Sequence, residues 1–378
     1  MMWKVPFADL RLGDEEKAAV LAVLESNWLT MGPKTAEFEA AFAAALACPD
    51  LGAVAVSNCT AGLHLALAAL GIGPGDEVIV PSLTFVATAN AARYVGAIPV
   101  FADIVSPDDW NIDPDDIARK ITPRTRAIIP VHYAGYPCRM DRIMELAEKH
   151  GLKVVEDASH APLSQWNAKM LGTIGHVGCF SFFGNKNMTT GEGGMVVSAD
   201  ADLVQTIRTM RSHGMTSNTY ARFRGHAFGY DVVSLGWNYR MDEMRAAMGL
   251  VQLSKLASSN RRRGELVAYY RKRLGETLPQ VRVPFREVQG ELAWHIFPVL
   301  LPEGTDREAV MQGLKDQGIQ TSIHYRPIHW MTDFGSGETV RLDKLDRLAL
   351  QILTLPLFPT LAEEQIDRVA ATLEACLA

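Results

Sequence analysis

Between residues 54 and 157, short apolar runs alternate with stretches whose apolar positions recur every three or four residues. Val54-Ala55-Val56-Ser57 reads as a strand, and Leu63, Ala66, Leu67 and Leu70 follow at helical spacing. Strand-like runs return at residues 77–80, 99–101, 127–132 and 153–156. Between the last two lies a helix with Met140, Ile143, Met144 and Ala147 on one side, closed by Gly151. Strands and helices in alternation predict an α/β fold with a largely parallel sheet, whose ligands bind beyond the carboxyl ends of the strands.

The flanking segments follow other patterns. After an extended arm, Asp14-Glu15-Glu16 predicts the cap and first turn of a helix with Val20, Leu21 and Leu24 as its apolar side, and residues 35–46 predict a second helix. From Met241 the chain turns to long helical stretches, with Met244, Met248 and Val251 on the same side. A smaller mixed unit follows, with strands expected at 281–283 and 294–299. Thr305-Asp306-Arg307-Glu308 and Thr360-Leu361-Ala362-Glu363 have the capping-box spacing that opens a helix. The expected division is a large domain over 1–250 and a smaller C-terminal α+β domain over 251–378.

Composition narrows the function classes. The chain has 378 residues, 48% hydrophobic and 21% charged, with a formal net charge of −6, which argues against a broad nucleic-acid surface. The arginine clusters at 261–263 and 271–273 read first as the solvated face of a helix. No apolar run reaches membrane-spanning length and the N-terminus lacks a secretory pattern, so the expected location is cytoplasmic. Five scattered cysteines suggest neither a disulfide framework nor a zinc site, and the ten histidines form no HExxH pair.

Candidate chemistry gathers at strand ends. Asn58-Cys59-Thr60-Ala61-Gly62 joins a strand to a helix start, where free N–H groups and the Thr60 hydroxyl suit a phosphate; the simpler reading has Thr60 capping its helix. Asp157 ends a strand, and Phe85 follows another in Pro81-Ser82-Leu83-Thr84-Phe85. Lys186 sits in the turn Gly184-Asn185-Lys186-Asn187, five residues beyond Ser181, with Gly191-Glu192-Gly193-Gly194 leading into the next strand. That glycine-rich bend has the spacing of neither a dinucleotide fingerprint nor a Walker loop. Amine, acid, flat ring and anion cradle are together what pyridoxal 5′-phosphate (PLP) requires: a lysine for its aldehyde, a carboxylate for its ring nitrogen, an apolar face and donors for its phosphate.

Beyond these parts, Trp28-Leu29-Thr30-Met31-Gly32-Pro33, Pro130-Val131-His132-Tyr133-Ala134-Gly135, Glu156-Asp157-Ala158-Ser159-His160-Ala161, Gly236-Trp237-Asn238-Tyr239-Arg240-Met241 and Thr321-Ser322-Ile323-His324-Tyr325 occur in order. With the Lys186 stretch, they make the whole chain resemble the DegT/StrS-type sugar aminotransferases, PLP enzymes of fold type I. The resemblance implies that Lys186 binds the cofactor covalently and shuttles a proton, and that Asp157 partners the ring nitrogen. It places His160 near the phenolic oxygen and Phe85 over the ring. Thr60, Ala61 and Ser181 would contact the phosphate, and Asn238 would reach it from the second subunit of a homodimer. Trp28, His324, Tyr325 and His329 would lie near the sugar, with a structural role equally open for the last three.

The implied reaction moves an amino group from glutamate or glutamine to a keto-sugar, with a nucleotide-linked sugar as the expected acceptor. Cyclitol-aminating and aromatic-amino-acid-forming relatives, and a non-catalytic sugar-nucleotide or cofactor-binding protein, are the alternatives. The retained Lys186 argues against the dehydratase branch, which carries histidine there. The sequence departs from the family at Pro162-Leu163-Ser164-Gln165-Trp166. The basic, aromatic stretch over 220–230, with Arg222, Arg224 and His226, could face a diphosphate or solvent.

Overall fold

The computed structural model describes residues 3–217, 229–288, 290–335 and 340–378. In chain order the large unit contains α1 (Asp14–Glu25), α2 (Pro33–Ala45), β1 (Gly52–Val56), α3 (Cys59–Ala69), β2 (Glu77–Pro81), α4 (Ala87–Tyr94) and β3 (Ile98–Ala102). It continues with β4 (Ile104–Ser106), β5 (Asp109–Ile112), α5 (Pro114–Lys120), β6 (Thr125–Ile128), α6 (Met140–His150), β7 (Lys153–Asp157), β8 (Gln165–Trp166), β9 (Lys169–Met170), β10 (Val177–Ser181), β11 (Gly194–Ser198) and α7 (Ala201–Met210). Seven strands form one sheet in the order β1-β11-β10-β7-β6-β2-β3. Every strand runs in one direction except β11, which is antiparallel to both neighbours. The carboxyl ends of β1, β2, β7 and β10 therefore open on the same rim, as the alternating pattern predicts.

The sheet is buried on both faces, which is why its strands read as unbroken apolar runs. Leu63, Leu67, Val80 and Val196 lie in the core on one side, and Ile79, Ile143 and Val154 on the other. A third cluster stacks Phe38, Phe42, Phe180 and Phe182 beneath the lysine loop.

The rest of the chain holds α8 (Glu243–Thr277), β12 (Phe297–Leu300), α9 (Arg307–Asp316), α10 (Asp343–Leu348), β13 (Ile352–Leu355) and α11 (Glu363–Leu377). The expected boundary at 250 falls inside the unbroken α8. Ala246 and Leu256 of this helix belong to the phenylalanine cluster, whereas Leu266, Tyr270 and Leu274 join the C-terminal core with Val299, Leu314 and Leu373. The change of core thus comes between residues 256 and 266, and the helix serves both.

Local chemistry explains several departures from the sequence reading. Helix α1 is capped at Gly13, whose N–H donates to the Glu16 carboxylate, and it buries Val23 while Leu21 and Leu24 stay exposed. Asp306, not Thr305, caps α9 by accepting from the Ala309 N–H. Helix α11 begins after Ala362, whose N–H donates to Gln365, leaving Thr360 outside the box to donate to Asp9. Residues 281–283 make only a bridge from Arg282 to Leu300. The strand expected from Trp294 begins instead at Phe297, because Trp294 takes a left-handed φ of 50° and sends His295 toward the lysine loop. The family departure at 162–166 runs into a β8–β9 hairpin whose turn residues Asn167 and Ala168 both have positive φ, the pattern of a type I′ turn. Among the described residues no helix is long and apolar enough to cross a membrane.

Candidate active site

A cavity of about 690 Å³ opens at the rim formed by the carboxyl ends of the strands. Its floor is set by β7. Asp157, the last residue of that strand, is 4% exposed and lines the cavity. One carboxylate oxygen accepts from the Thr88 hydroxyl at 2.9 Å and the other from the Ser159 N–H at 3.1 Å. Thr84 in turn contacts the Thr88 hydroxyl at 3.1 Å. Two donors, one on each oxygen of this buried carboxylate, fix its plane.

Lys186 enters from the loop between β10 and β11. The Thr190 N–H donates back to the Phe182 carbonyl, and Phe182 donates to Gly193, so the loop closes on itself above the phenylalanine cluster. Burial pulls the Lys186 amine down to about 8, against the opposing pull of Asp157 and Cys59. At pH 7 about one amine in ten is then unprotonated, against about one in three thousand for an ordinary lysine. Such an amine can act as nucleophile and as proton acceptor.

A third wall is the start of α3. Asn58 caps this helix by accepting from the Ala61 N–H at 2.8 Å, so Thr60 is not the cap. The N–H groups of Cys59 and Thr60 have no hydrogen-bond partner among the described residues, and both residues line the cavity. Gly194 closes against this turn: a Cβ there would stand 2.7 Å from the Asn58 carbonyl carbon and the Cys59 nitrogen. The Ser181 hydroxyl lies on the same side. Orphan N–H groups at a helix N-terminus, joined by two hydroxyls, make an anion cradle.

The other residues expected at the site divide. Phe85 is 60% exposed at the mouth and tilts against Tyr325, so it is not a core residue. His324 and Tyr325 line the cavity. His324 contacts Thr354 through Nδ1 and stacks on Phe7 of the N-terminal arm, while burial brings it down to about 4. His160 lies behind Tyr325 instead of lining the cavity; its Nδ1 accepts from the Ala134 N–H, and its Nε2 contacts the Tyr325 hydroxyl at 3.0 Å.

His329 is 1% exposed and clamped between Ser82 and Asp346, away from the cavity. Its role here is to dock the 328–330 turn on the end of β2. Trp28 packs on Gly32 at the start of α2 and does not line the cavity. Asn238 is exposed and bridges Ser212, while its neighbours Trp237 and Tyr239 turn inward and stack near His64. The stretch over 220–230 lies, but for its last two residues, outside the described residues. The sequence reading missed Thr88, Ser159, Tyr239 and His295. A threonine on the helix after a strand end, and a histidine inside an apolar run, were the available signals.

The residues present suit PLP: an anion cradle, a buried carboxylate with its donors, an amine poised near neutrality and an aromatic face all border one space. The sequence profile of the DegT/DnrJ/EryC1/StrS aminotransferase family matches residues 11–374. The chain belongs to this family. It is 40% identical over 374 residues to the spore coat polysaccharide biosynthesis protein SpsC of Bacillus subtilis, covering 97% of this chain and 95% of that protein. The aminotransferase TlmJ of Streptoalloteichus hindustanus superposes with a TM-score of 0.90 at 35% identity, over 100% of this chain and 99% of its own. A putative sugar aminotransferase of Streptococcus pneumoniae, solved in PMP and PLP forms, superposes with TM-scores of 0.90 and 0.89 at 28% identity, over 99% of this chain and 99% and 98% of its own. As a DegT/DnrJ/EryC1/StrS member the chain is a PLP-dependent sugar aminotransferase, which sets aside a purely regulatory binding role.

Proposed function

We propose that this enzyme transfers an amino group from an amino acid, with glutamate as the leading donor, to the carbonyl of a nucleotide-linked keto-sugar. The observation that carries this reading is the convergence of Lys186, Asp157 and the open N-terminus of α3 on one cavity. PLP, when bound, supplies an electron sink for the carbon whose proton is removed. In our reading the Cys59 and Thr60 N–H groups and the Thr60 and Ser181 hydroxyls hold its phosphate. Asp157, oriented by Thr88 and Ser159, keeps the ring nitrogen protonated. Lys186 carries the proton between the two reacting carbons at Nζ, and its low proton affinity suits it to serve as both base and acid near neutral pH. His160 acts indirectly, by orienting Tyr325.

Nucleotide linkage is supported by the relative SpsC, whose name places it in polysaccharide biosynthesis, a process that consumes activated sugars. Five thiols, none in a disulfide, suit a reducing compartment such as the cytoplasm. A homodimer is supported by Asn238, which faces away from its own cavity, and by exposed Leu21, Leu24, Val232, Val233 and Leu235.

Mass-resolved transamination across nucleotide-linked keto-sugars, free keto-sugars and keto-cyclitols, with glutamate and glutamine as donors, tests the reading. Amination of a nucleotide-linked ketone is the expected result; exclusive use of a cyclitol ketone would overturn it. Lys186→Ala should lower turnover at least 10⁴-fold and abolish the visible absorbance of covalently held PLP, with the fold retained by circular dichroism.

A further inference from the structure

Two chains of hydrogen bonds end at the same wall of the cavity with opposite polarity, and obligate backbone groups set both directions. The first starts at the Ala134 N–H, which can only donate, so His160 Nδ1 must accept (3.2 Å). Burial and the nearby Lys186 amine hold His160 well below its ordinary range, so it is neutral and its one proton sits on Nε2. That proton is donated to the Tyr325 hydroxyl oxygen, and the hydroxyl proton is left to point into the cavity.

The second chain starts at the Pro162 carbonyl, which can only accept. Asn260 must therefore present its amide nitrogen to it (2.9 Å) and its oxygen to Asn187 (2.8 Å). The same Asn187 nitrogen also meets the Ala293 carbonyl, which fixes its amide orientation independently. The Asn187 oxygen is thereby turned to His295 Nδ1 at 2.9 Å, and His295 must donate from Nδ1. Burial keeps His295 neutral, with the Lys186 and Arg263 charges acting in the same sense. Its Nε2 is then an unprotonated lone pair with no partner among the described residues, on a side chain that lines the cavity. The backbone of His295 is held at both ends, its N–H by the Ala134 carbonyl (2.9 Å) and its carbonyl by the buried Arg263 (3.1 Å). On a backbone fixed in this way, the Asn187 contact at Nδ1 sets the orientation of the imidazole.

We propose that His295 is a substrate-binding residue, held as a fixed hydrogen-bond acceptor beside the fixed donor Tyr325, and that the pair selects a keto-sugar carrying a hydroxyl next to the carbonyl that is aminated. Such a hydroxyl donates to His295 Nε2, and an adjoining oxygen accepts from Tyr325. A substrate lacking the hydroxyl leaves the acceptor buried and unpaired, the arrangement that discriminates most strongly between close analogues. Asn187 is a positioning residue, acting through the His295 tautomer. The substrate half of the proposal rests on the keto-sugar reading above; the tautomer half does not.

Histidine-selective ¹⁵N labelling of the PLP-loaded enzyme tests the tautomer, with the His295 signals assigned by their loss in His295→Phe. The expected spectrum shows His295 protonated at Nδ1 and His160 at Nε2, and Asn187→Ala should turn His295 into a tautomer mixture. A His295 protonated at Nε2 in the wild-type enzyme would overturn the proposal. The second measurement compares kcat/KM for a hydroxyl-bearing keto-sugar nucleotide and its deoxy counterpart. The wild type should prefer the hydroxylated substrate by roughly 100-fold or more. His295→Phe and Asn187→Ala should reduce that preference to a few-fold. An undiminished preference in both folded variants would overturn the proposal. Should no keto-sugar be aminated by the wild type, the functional reading fails, and the tautomer spectrum alone decides whether the acceptor exists.

Discussion

The Asp157 carboxylate owes its orientation to Thr88 and Ser159, so its chemistry depends on a hydroxyl borrowed from α4. Thr88→Val removes that donor without changing the side-chain shape. Turnover should fall roughly tenfold or more, as expected for losing a hydrogen bond to a charged group, and stopped-flow absorbance should place the loss in the proton-transfer step. Burial of His324 has a consequence for the apo-protein. Its folded value is about 4, and an ordinary histidine in the unfolded chain titrates near 6.5. The unfolded state therefore binds more protons between these values, and stability falls as pH drops through that window, by up to about 3 kcal/mol at its foot. Buried His160 and His295 shift in the same direction and steepen the loss. Replacing His324 with asparagine should shrink the difference in melting temperature between pH 7 and pH 5, measured by differential scanning fluorimetry. The strand-end acid and the loop lysine were legible because each follows an apolar run that can only be a strand. His295 was not, because Trp294-His295-Ile296-Phe297 reads as one run and nothing local announces the left-handed turn at Trp294.

At the scale of elements, the anion cradle depends on how α3 begins. Asn58 uses one of the first-turn N–H groups and leaves its neighbours free, so its side chain orders the cradle without filling it. Asn58→Ala should cost about 1 kcal/mol of stability and weaken PLP retention in equilibrium dialysis. Asn58→Asp should preserve the cap yet weaken retention further, by placing a negative charge beside the phosphate. Both the strand and the helix here were visible in the periodicity of residues 54–70; the identity of the cap was not, since Asn58, Thr60 and Cys59 crowd the same turn. The capping boxes expected at Thr305 and Thr360 shifted for a related reason. A stronger acceptor at Asp306 displaced the first, and Asp9 of the N-terminal arm drew away the second hydroxyl. A chain neighbour decided the first outcome and a partner distant in sequence the second.

For the whole molecule, the proposed sharing of the active site makes a prediction about mixed subunits. Lys186→Ala and Asn238→Ala proteins should each be weak alone. Refolded together, they should recover roughly a quarter of wild-type activity, because half the dimers are mixed and each mixed dimer restores one of two sites. No recovery, with dimers present by analytical ultracentrifugation, would show that Asn238 does not act across subunits. The parallel sheet was legible as a class from its alternating runs, but the reversal of β11 was not, since a strand buried on both faces has the same composition in either direction. The extent of α8 was hidden too: its buried face passes from one core to the other, so a single apolar stripe does not persist along its 35 residues.

That helix sets how this enzyme can move. About 50 Å of uninterrupted α-helix is rooted at one end under the phenylalanine cluster and at the other in the C-terminal core, with Asn260 and Arg263 pinned between them. A girder with no joint transmits a push instead of absorbing it. Amides near the middle of the rod should therefore be among the last in the protein to exchange with deuterium.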